Sequence, residues 1–299
     1  MILNQNKPLP EFVINFLDYK KNNEKLSDNT IIAYQLDIYS FLEWLKEYFN
    51  TTEVSLNLFN KLTIQDVVKW QRTLKNQAST EGRKISSIRL LFDYLNKFKL
   101  VDNDVMHNIK KPKIPKKPRK HLDFETSKEL IHVAEVEGSL RDVAIIKLFL
   151  YSGMRISEIT NLDLGDIKGN RVYIRAAKGE KDRIVYIDED AVQAINNWLV
   201  IRPKTTCDSI FVLHYFNKEP YRITDASIRK MIKKFADIIE VEFTPHILRH
   251  TYATDQLDAG TPLPSIQKAL GHSDIKTTQI YAHTTEKQLM QMAGKVKYK

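Results

Sequence analysis

The chain has 299 residues, 42% of them hydrophobic and 28% charged, which is the balance of a globular protein long enough for two domains with full-sized cores. Its 46 basic against 37 acidic residues leave a net charge of +9, favouring a polyanionic partner. One cysteine, Cys207, excludes an internal disulfide and any cysteine-rich zinc module and fits a reducing cytoplasm. Lys147 breaks the best apolar run, 143–151, well short of a membrane span, and the opening MILNQNKPLPEF lacks the order of a signal peptide.

Up to about residue 108 the chain reads as helices only. Thr30, Tyr34, Ile38, Phe41 and Leu45 form a helical stripe, and Thr63 with Asp66 opens a second helix at TIQDVVKWQRTL as a capping-box start. Ile85, Ile88, Leu91 or Phe92, and Leu95 share one face of a third helix over 84–95, with polar TEGRK before it. These elements predict a small helical bundle, a first domain over 1–108.

Residues 110–120 read KKPKIPKKPRK, with seven basic residues (Lys110, Lys111, Lys113, Lys116, Lys117, Arg119, Lys120) and no acid. Pro112, Pro115 and Pro118 recur with the three-residue turn of polyproline II, so an extended basic strap is expected between two domains. The plain alternative is a solvated linker with no partner. The linker is placed at 109–121.

Beyond it, a mixed, mainly helical second domain is expected over 122–299. Ser139 and Asp142 start an apolar helix that Gly153 should end. Arg155 then stands at the mouth of the next helix, where free backbone N–H groups favour an anion, and Glu158 one turn on can orient its guanidinium. A surface ion pair between the two is the bland reading. RVYIRAAKGEKDRIVYI over 171–187 alternates on both sides of KGEK and predicts a β-hairpin with Gly179 in the turn and Lys178 at its tip.

Thr244 followed by Pro245 marks a helix start and Gly260 a stop; His246, Arg249 and His250 at i, i+3 and i+4 share one face. A short helix from 264 to 270 should end at Gly271, followed by His272, and a third should carry Tyr281. Two cations, imidazoles and a phenol suit a phosphodiester: guanidinium pairs with phosphate oxygens, imidazole shuttles protons, and phenol can serve as nucleophile. A helical core with incidental histidines is the alternative. Zinc is disfavoured, because the metalloprotease glutamate is missing and Arg249 would repel a dication. No phosphate-binding P-loop, dinucleotide fingerprint or close carboxylate cluster is present, so neither a cofactor nor a metal is expected.

The segments SGMRISEI, AAKGEKDR, HILRHTYAT, LGH and TTQIYAH, in that order, resemble the tyrosine recombinase (phage-integrase-type) family, most closely its Xer-type members. Residues 27–45 and the strap also look like that family's amino-terminal region and linker, so the likeness spans nearly the whole chain. It implies a fold that is mainly α with a small β-hairpin (α+β), made of a helical core-binding domain and a catalytic domain ending in an exchange helix, together forming a clamp around DNA. By the same resemblance Arg155 and Arg249 clamp the scissile phosphate, Lys178 is the general acid, His246 and His272 assist, and Tyr281 is the nucleophile. The strap, with Arg83 and Lys84 of TEGRK, is expected on DNA. The family pattern further implies a 3′-phosphotyrosyl intermediate, a Holliday junction, no ATP, and a homotetramer on two double-stranded sites or assembly with a second recombinase. A chromosome-dimer resolvase and a mobile-element integrase both fit. The rivals are a type IB topoisomerase, with the same chemistry on one duplex, and a non-catalytic architectural DNA-binding protein.

Overall fold

The computed structural model describes residues 9–75, 77–113, 120–175 and 182–271. The chain divides into two compact units, Met1–Lys117 and Pro118–Lys299, and each closes a core of its own.

In the first unit the described elements are α1 (Glu11–Asn22), α2 (Asp28–Phe49), α3 (Leu56–Lys61), α4 (Ile64–Thr73) and α5 (Ala78–Lys97). Ser27 caps α2 by accepting the Thr30 N–H at 3.3 Å. Thr63 and Asp66 form the expected capping box of α4. The buried stripe of α2 is Ile31, Ile38, Phe41, Leu42 and Leu45, so it starts at Ile31 rather than Thr30. TEGRK does not precede the third predicted helix. It forms the early turns of α5, where Asp37 of α2, only 2% exposed, takes the Arg83 guanidinium and, at 2.7 Å, the Ser87 hydroxyl. That carboxylate pins the polar end of α5 to α2. The core is aromatic: Phe41 meets Trp70 edge-on at 4.8 Å and Phe59 lies 5.1 Å from Phe92. Ile109, 4% exposed, still belongs to this core.

The second unit contains α6 (Phe124–Glu137), α7 (Leu140–Ser152), α8 (Ile156–Thr160), a 3₁₀ turn (Leu164–Asp166), β1 (Ile167–Lys168), β2 (Arg171–Ile174), β3 (Arg183–Tyr186), α9 (Glu189–Ile201), β4 (Val212–Leu213), β5 (Tyr221–Arg222), α10 (Asp225–Ile238), α11 (Pro245–Asp258) and α12 (Leu263–Leu270). Helix α7 is its axis. Ser139 and Asp142 cap it, and Val143 to Phe149 are all buried, as a helix apolar on every side must be. It packs against α6, α9 and α11. Lys147 sits inside this packing with its Nζ 2.8 Å from both Glu135 of α6 and Asp190 of α9. Burial alone would lower its pKa, but the hydrogen bonds and charges of those carboxylates hold it above the usual lysine range.

Strands β1, β2 and β3 form one antiparallel sheet in that order, with Arg171 opposite Tyr186 and Ile174 opposite Arg183. Val172, Ile174 and Val185 face the core, while Arg171, Tyr173, Ile184 and Tyr186 are exposed. The hairpin expected over 171–187 is therefore present in its paired strands, and its tip, with Lys178 and Gly179, lies outside the described residues. The β4–β5 pair was not anticipated, because strands of two residues carry no readable periodicity.

Candidate active site

Four elements bring arginines together. Gly153 ends α7 with φ +61°, and a Cβ there would lie 2.3 Å from the Tyr252 ring, so this corner accepts only glycine. The tight turn sets Arg155 at the start of α8. Its backbone N–H donates to Glu158 Oε2 at 2.7 Å and its Nη1 to Glu158 Oε1 at 3.0 Å. Helix α8 is five residues long and Glu158 itself takes the Arg155 N–H. Glu158 thus occupies the first of the N–H groups at this helix mouth, and the guanidiniums of Arg155, Arg183 and Arg249 add positive charge at the same place. Arg155–Glu158 is not a surface pair, since the Glu158 side chain is 9% exposed.

Arg249 reaches the same place from α11, which Thr244 caps and Pro245 opens as expected. Its Nη1 donates to the Gly153 carbonyl at 2.8 Å and its Nη2 to the Leu270 carbonyl at 2.6 Å; Glu158 Oε2 is 3.8 Å away. The guanidinium is buried, 6% exposed, and held by main-chain oxygens on two sides. His246 lies exposed one turn earlier on α11, and His250 is half-buried.

Sequence reasoning missed Arg183, the first residue of β3. Its Nη1 and Nη2 grip Glu158 Oε1 and Oε2 at 2.8 and 2.9 Å, a fork-to-fork pair, and its Nε donates to the Ala269 carbonyl at 2.8 Å. The available signal was strand register: Arg183 shares the inward face with Val185, where a charge needs a partner. Burial alone would raise the Glu158 pKa, but the hydrogen bonds and charge of Arg183, with further help from Arg155 and Arg249, hold it below the usual carboxylate range.

Helix α12 closes the cluster. Gly271 caps it with φ +66°, and Arg155 Nη2 lies 3.4 Å from the Gly271 carbonyl. Three successive carbonyls, Ala269, Leu270 and Gly271, thus receive Arg183, Arg249 and Arg155. Three guanidinium charges less one carboxylate leave +2 in a partly dehydrated corner, which is chemistry for a phosphate. A cavity of about 1330 Å³ opens beside it, lined by Tyr173, Arg183, Tyr186, Tyr252, Ile266 and Gly271 among others.

Of the other expected site residues, Lys178, His272 and Tyr281 lie outside the described residues, as do Lys116, Lys117 and Arg119. Lys110, Lys111, Lys113 and Lys120 are exposed. Arg83 pairs with Asp37 and stays about half-exposed, and Lys84 is 3.4 Å from the Ser40 hydroxyl. Among the described residues no group of three or more His, Cys, Asp or Glu is placed to hold a metal, and no helix is long and apolar enough to cross a membrane.

Residues 120–288 match the phage integrase family, and residues 13–99 match its N-terminal SAM-like domain. The chain belongs to the phage integrase family. Among its curated relatives, a tyrosine recombinase XerC of Caldanaerobacter subterraneus subsp. tengcongensis is 30% identical, covering 96% of this chain and 86% of the relative. A tyrosine recombinase XerD of Halalkalibacterium halodurans is also 30% identical, over 91% of this chain and 92% of its own length. The fold of this integrase-family chain is shared with XerH bound to its difH substrate (TM-score 0.72, 20% identity, 95% and 94% of the two chains). It is shared as well with a lambda integrase dimer on a COC′ core site (TM-score 0.72, 14% identity, 97% and 98%). The chain is an enzyme of the tyrosine recombinase class, acting in site-specific recombination, and the topoisomerase and architectural alternatives are not favoured.

Proposed function

We propose that the arginine cluster is the phosphate site of DNA strand cleavage, with Arg155 and Arg249 on the non-bridging oxygens. The observation that carries this is the convergence of three guanidinium groups, Arg249 buried and Arg155 partly so, held by Glu158 and by the carbonyls at the end of α12. Groups fixed before substrate arrives stabilise developing charge without reorganising, usually the largest catalytic contribution. Tyr281 Oη attacks phosphorus and forms a 3′-phosphotyrosyl bond as the bond to the 5′-oxygen breaks. Lys178 gives that oxygen its proton. His246 takes the phenolic proton, and His272 adds a donor to the phosphate. One phosphodiester replaces another, so bond energy is retained and a new 5′-hydroxyl reverses the step without ATP.

Two such exchanges in sequence, through a Holliday junction, require four protomers on two sites, either one chain or two different recombinases. Residues 1–108 serve as the core-binding domain, 109–121 as the linker and 122–299 as the catalytic domain, which together clamp double-stranded DNA. Lys110, Lys111, Lys113, Lys116, Lys117, Arg119, Lys120, Arg83 and Lys84 supply phosphate contacts. Chromosome-dimer resolution at cell division and integration or excision of a mobile element both fit such a recombinase, acting in the cytoplasm.

The test is covalent capture on fragmented genomic DNA from the source cell, resolved on a denaturing gel, which also delivers the target site. Tyr281→Phe should abolish the adduct and leave DNA affinity nearly unchanged, since only one oxygen is lost. An adduct that survives moves the nucleophile elsewhere. Tyr252 is the poorer alternative, because burial pushes its phenol pKa up.

A further inference from the structure

We propose that Arg183 is a positioning residue for strand cleavage: by saturating Glu158, it keeps Arg155 and Arg249 available to the phosphate. This rests on the phosphate-site reading above and assigns a role to a residue that reading leaves idle. Glu158 is a buried carboxylate facing three guanidiniums, and those groups divide its oxygens unequally. Arg183 takes both in a fork at 2.8 and 2.9 Å, Arg155 shares one at 3.0 Å, and Arg249 stands at 3.8 Å, beyond hydrogen-bond range. A carboxylate with 9% exposure cannot turn to water for its remaining hydrogen bonds. Without Arg183 its nearest cations are the two proposed phosphate ligands, and a tight pair with either would compete with the DNA.

The second part of the role is steric. The Arg183 Nε holds the Ala269 carbonyl at 2.8 Å, and its guanidinium approaches Gly271 so closely that a Cβ there would lie 2.7 Å from Nη1. Arg183 therefore fixes the end of α12, whose next two carbonyls receive Arg249 and Arg155. One side chain sets both the anion and the backbone that aim the clamp. It never needs to touch DNA itself.

The experiment uses the full chain and the duplex recovered by covalent capture, in single-turnover cleavage of a nicked suicide form, with DNA affinity and thermal melting measured on each variant. Arg183→Gln should slow cleavage by about 10²-fold, the scale of a small misplacement, while affinity changes by less than about threefold. Arg183→Lys, which keeps charge and loses the fork, should fall between the two. Adding Glu158→Gln to Arg183→Gln removes the competing carboxylate and should restore at least about tenfold of the lost rate. A double variant no faster than Arg183→Gln would overturn the proposal, leaving Arg183 a purely structural strut. If Arg183→Gln does not fold, Arg183→Lys decides: a wild-type rate at a wild-type melting temperature also overturns it. Arg249→Ala separates the two readings. If it still cleaves, the phosphate-site reading fails; if it is dead while the Arg183 variants cleave normally, only the role of Arg183 fails.

Discussion

Glu158 titrates in a direction that its neighbours fix. Burial opposes its charge, yet Arg183, Arg155 and Arg249 together lower its pKa in the folded chain. A carboxyl whose folded pKa is depressed stabilises the fold at pH values above its unfolded pKa, and that contribution disappears as pH falls through the folded value. Glu158→Gln should therefore be less stable than the parent near neutrality, by about 1–3 kcal/mol for a buried charged group losing its partners. Acidification below about pH 4.5 should narrow the gap, because the unfolded parent then takes up a proton that the folded one still resists, and the gap closes once pH falls below the depressed folded value, where the parent too is neutral at that place. Urea unfolding of both proteins at several pH values measures this. A gap that stays constant down to the acid limit would show that the loss is one of shape and not of charge.

At the scale of the element, the turn between α7 and α8 is the piece on which the site depends. Gly153 supplies φ +61°, leaves room for the Tyr252 ring, and offers its carbonyl to Arg249. Gly153→Ala meets both a left-handed backbone and a ring at 2.3 Å, so it should cost about 1–3 kcal/mol of stability. It should also slow cleavage by about 10²-fold through displacement of Arg249. Equilibrium denaturation and single-turnover cleavage report the two effects, and an unchanged midpoint would refute the steric argument. This turn was legible in the sequence, as were the caps at Thr63, Ser139 and Thr244 and the stop at Gly271, because each is a signal written within four or five residues. What stayed hidden is written across the chain. Arg183 meets Glu158 across 25 positions, Lys147 meets Asp190 across 43, and Arg249 meets Gly153 across 96. Local pattern says that Lys147 and Arg183 are charged residues on inward faces, but only the tertiary fold names their partners. The start of α5 lies earlier than the sequence pattern places it, and its polar turns meet Asp37 from another helix through Arg83 and Ser87.

For the whole molecule, the two units have separate cores, and the described lysines of the basic stretch 110–120, Lys110, Lys111, Lys113 and Lys120, are all exposed. If the strap lies on phosphates, replacing Lys113, Lys116 and Lys117 by Gln should weaken every duplex about equally and make the slope of log K against log salt shallower by up to about three units. An unchanged slope would reduce the strap to a tether. We predict that assembly depends on the other end of the sequence. In TEKQLMQMAGKVKYK, Thr285 with Gln288 has the pattern of a capping-box start, and Leu289, Met292 and Val296 have the spacing of one face of a helix. A stretch this short is not stable as an isolated helix, so its apolar stripe needs a surface to cover. Docking on a neighbouring protomer would couple each Tyr281 to the next subunit and make cleavage depend on assembly. Deleting residues 285–299 should then leave the monomer folded and bound to DNA while abolishing synapsis and recombination between two sites. Mixing the truncated chain with Tyr281→Phe protein separates the donor of the tail from the donor of the nucleophile. Circular dichroism of the truncated monomer is the decisive control: if it unfolds, the stripe packs within its own chain and the coupling between protomers does not hold.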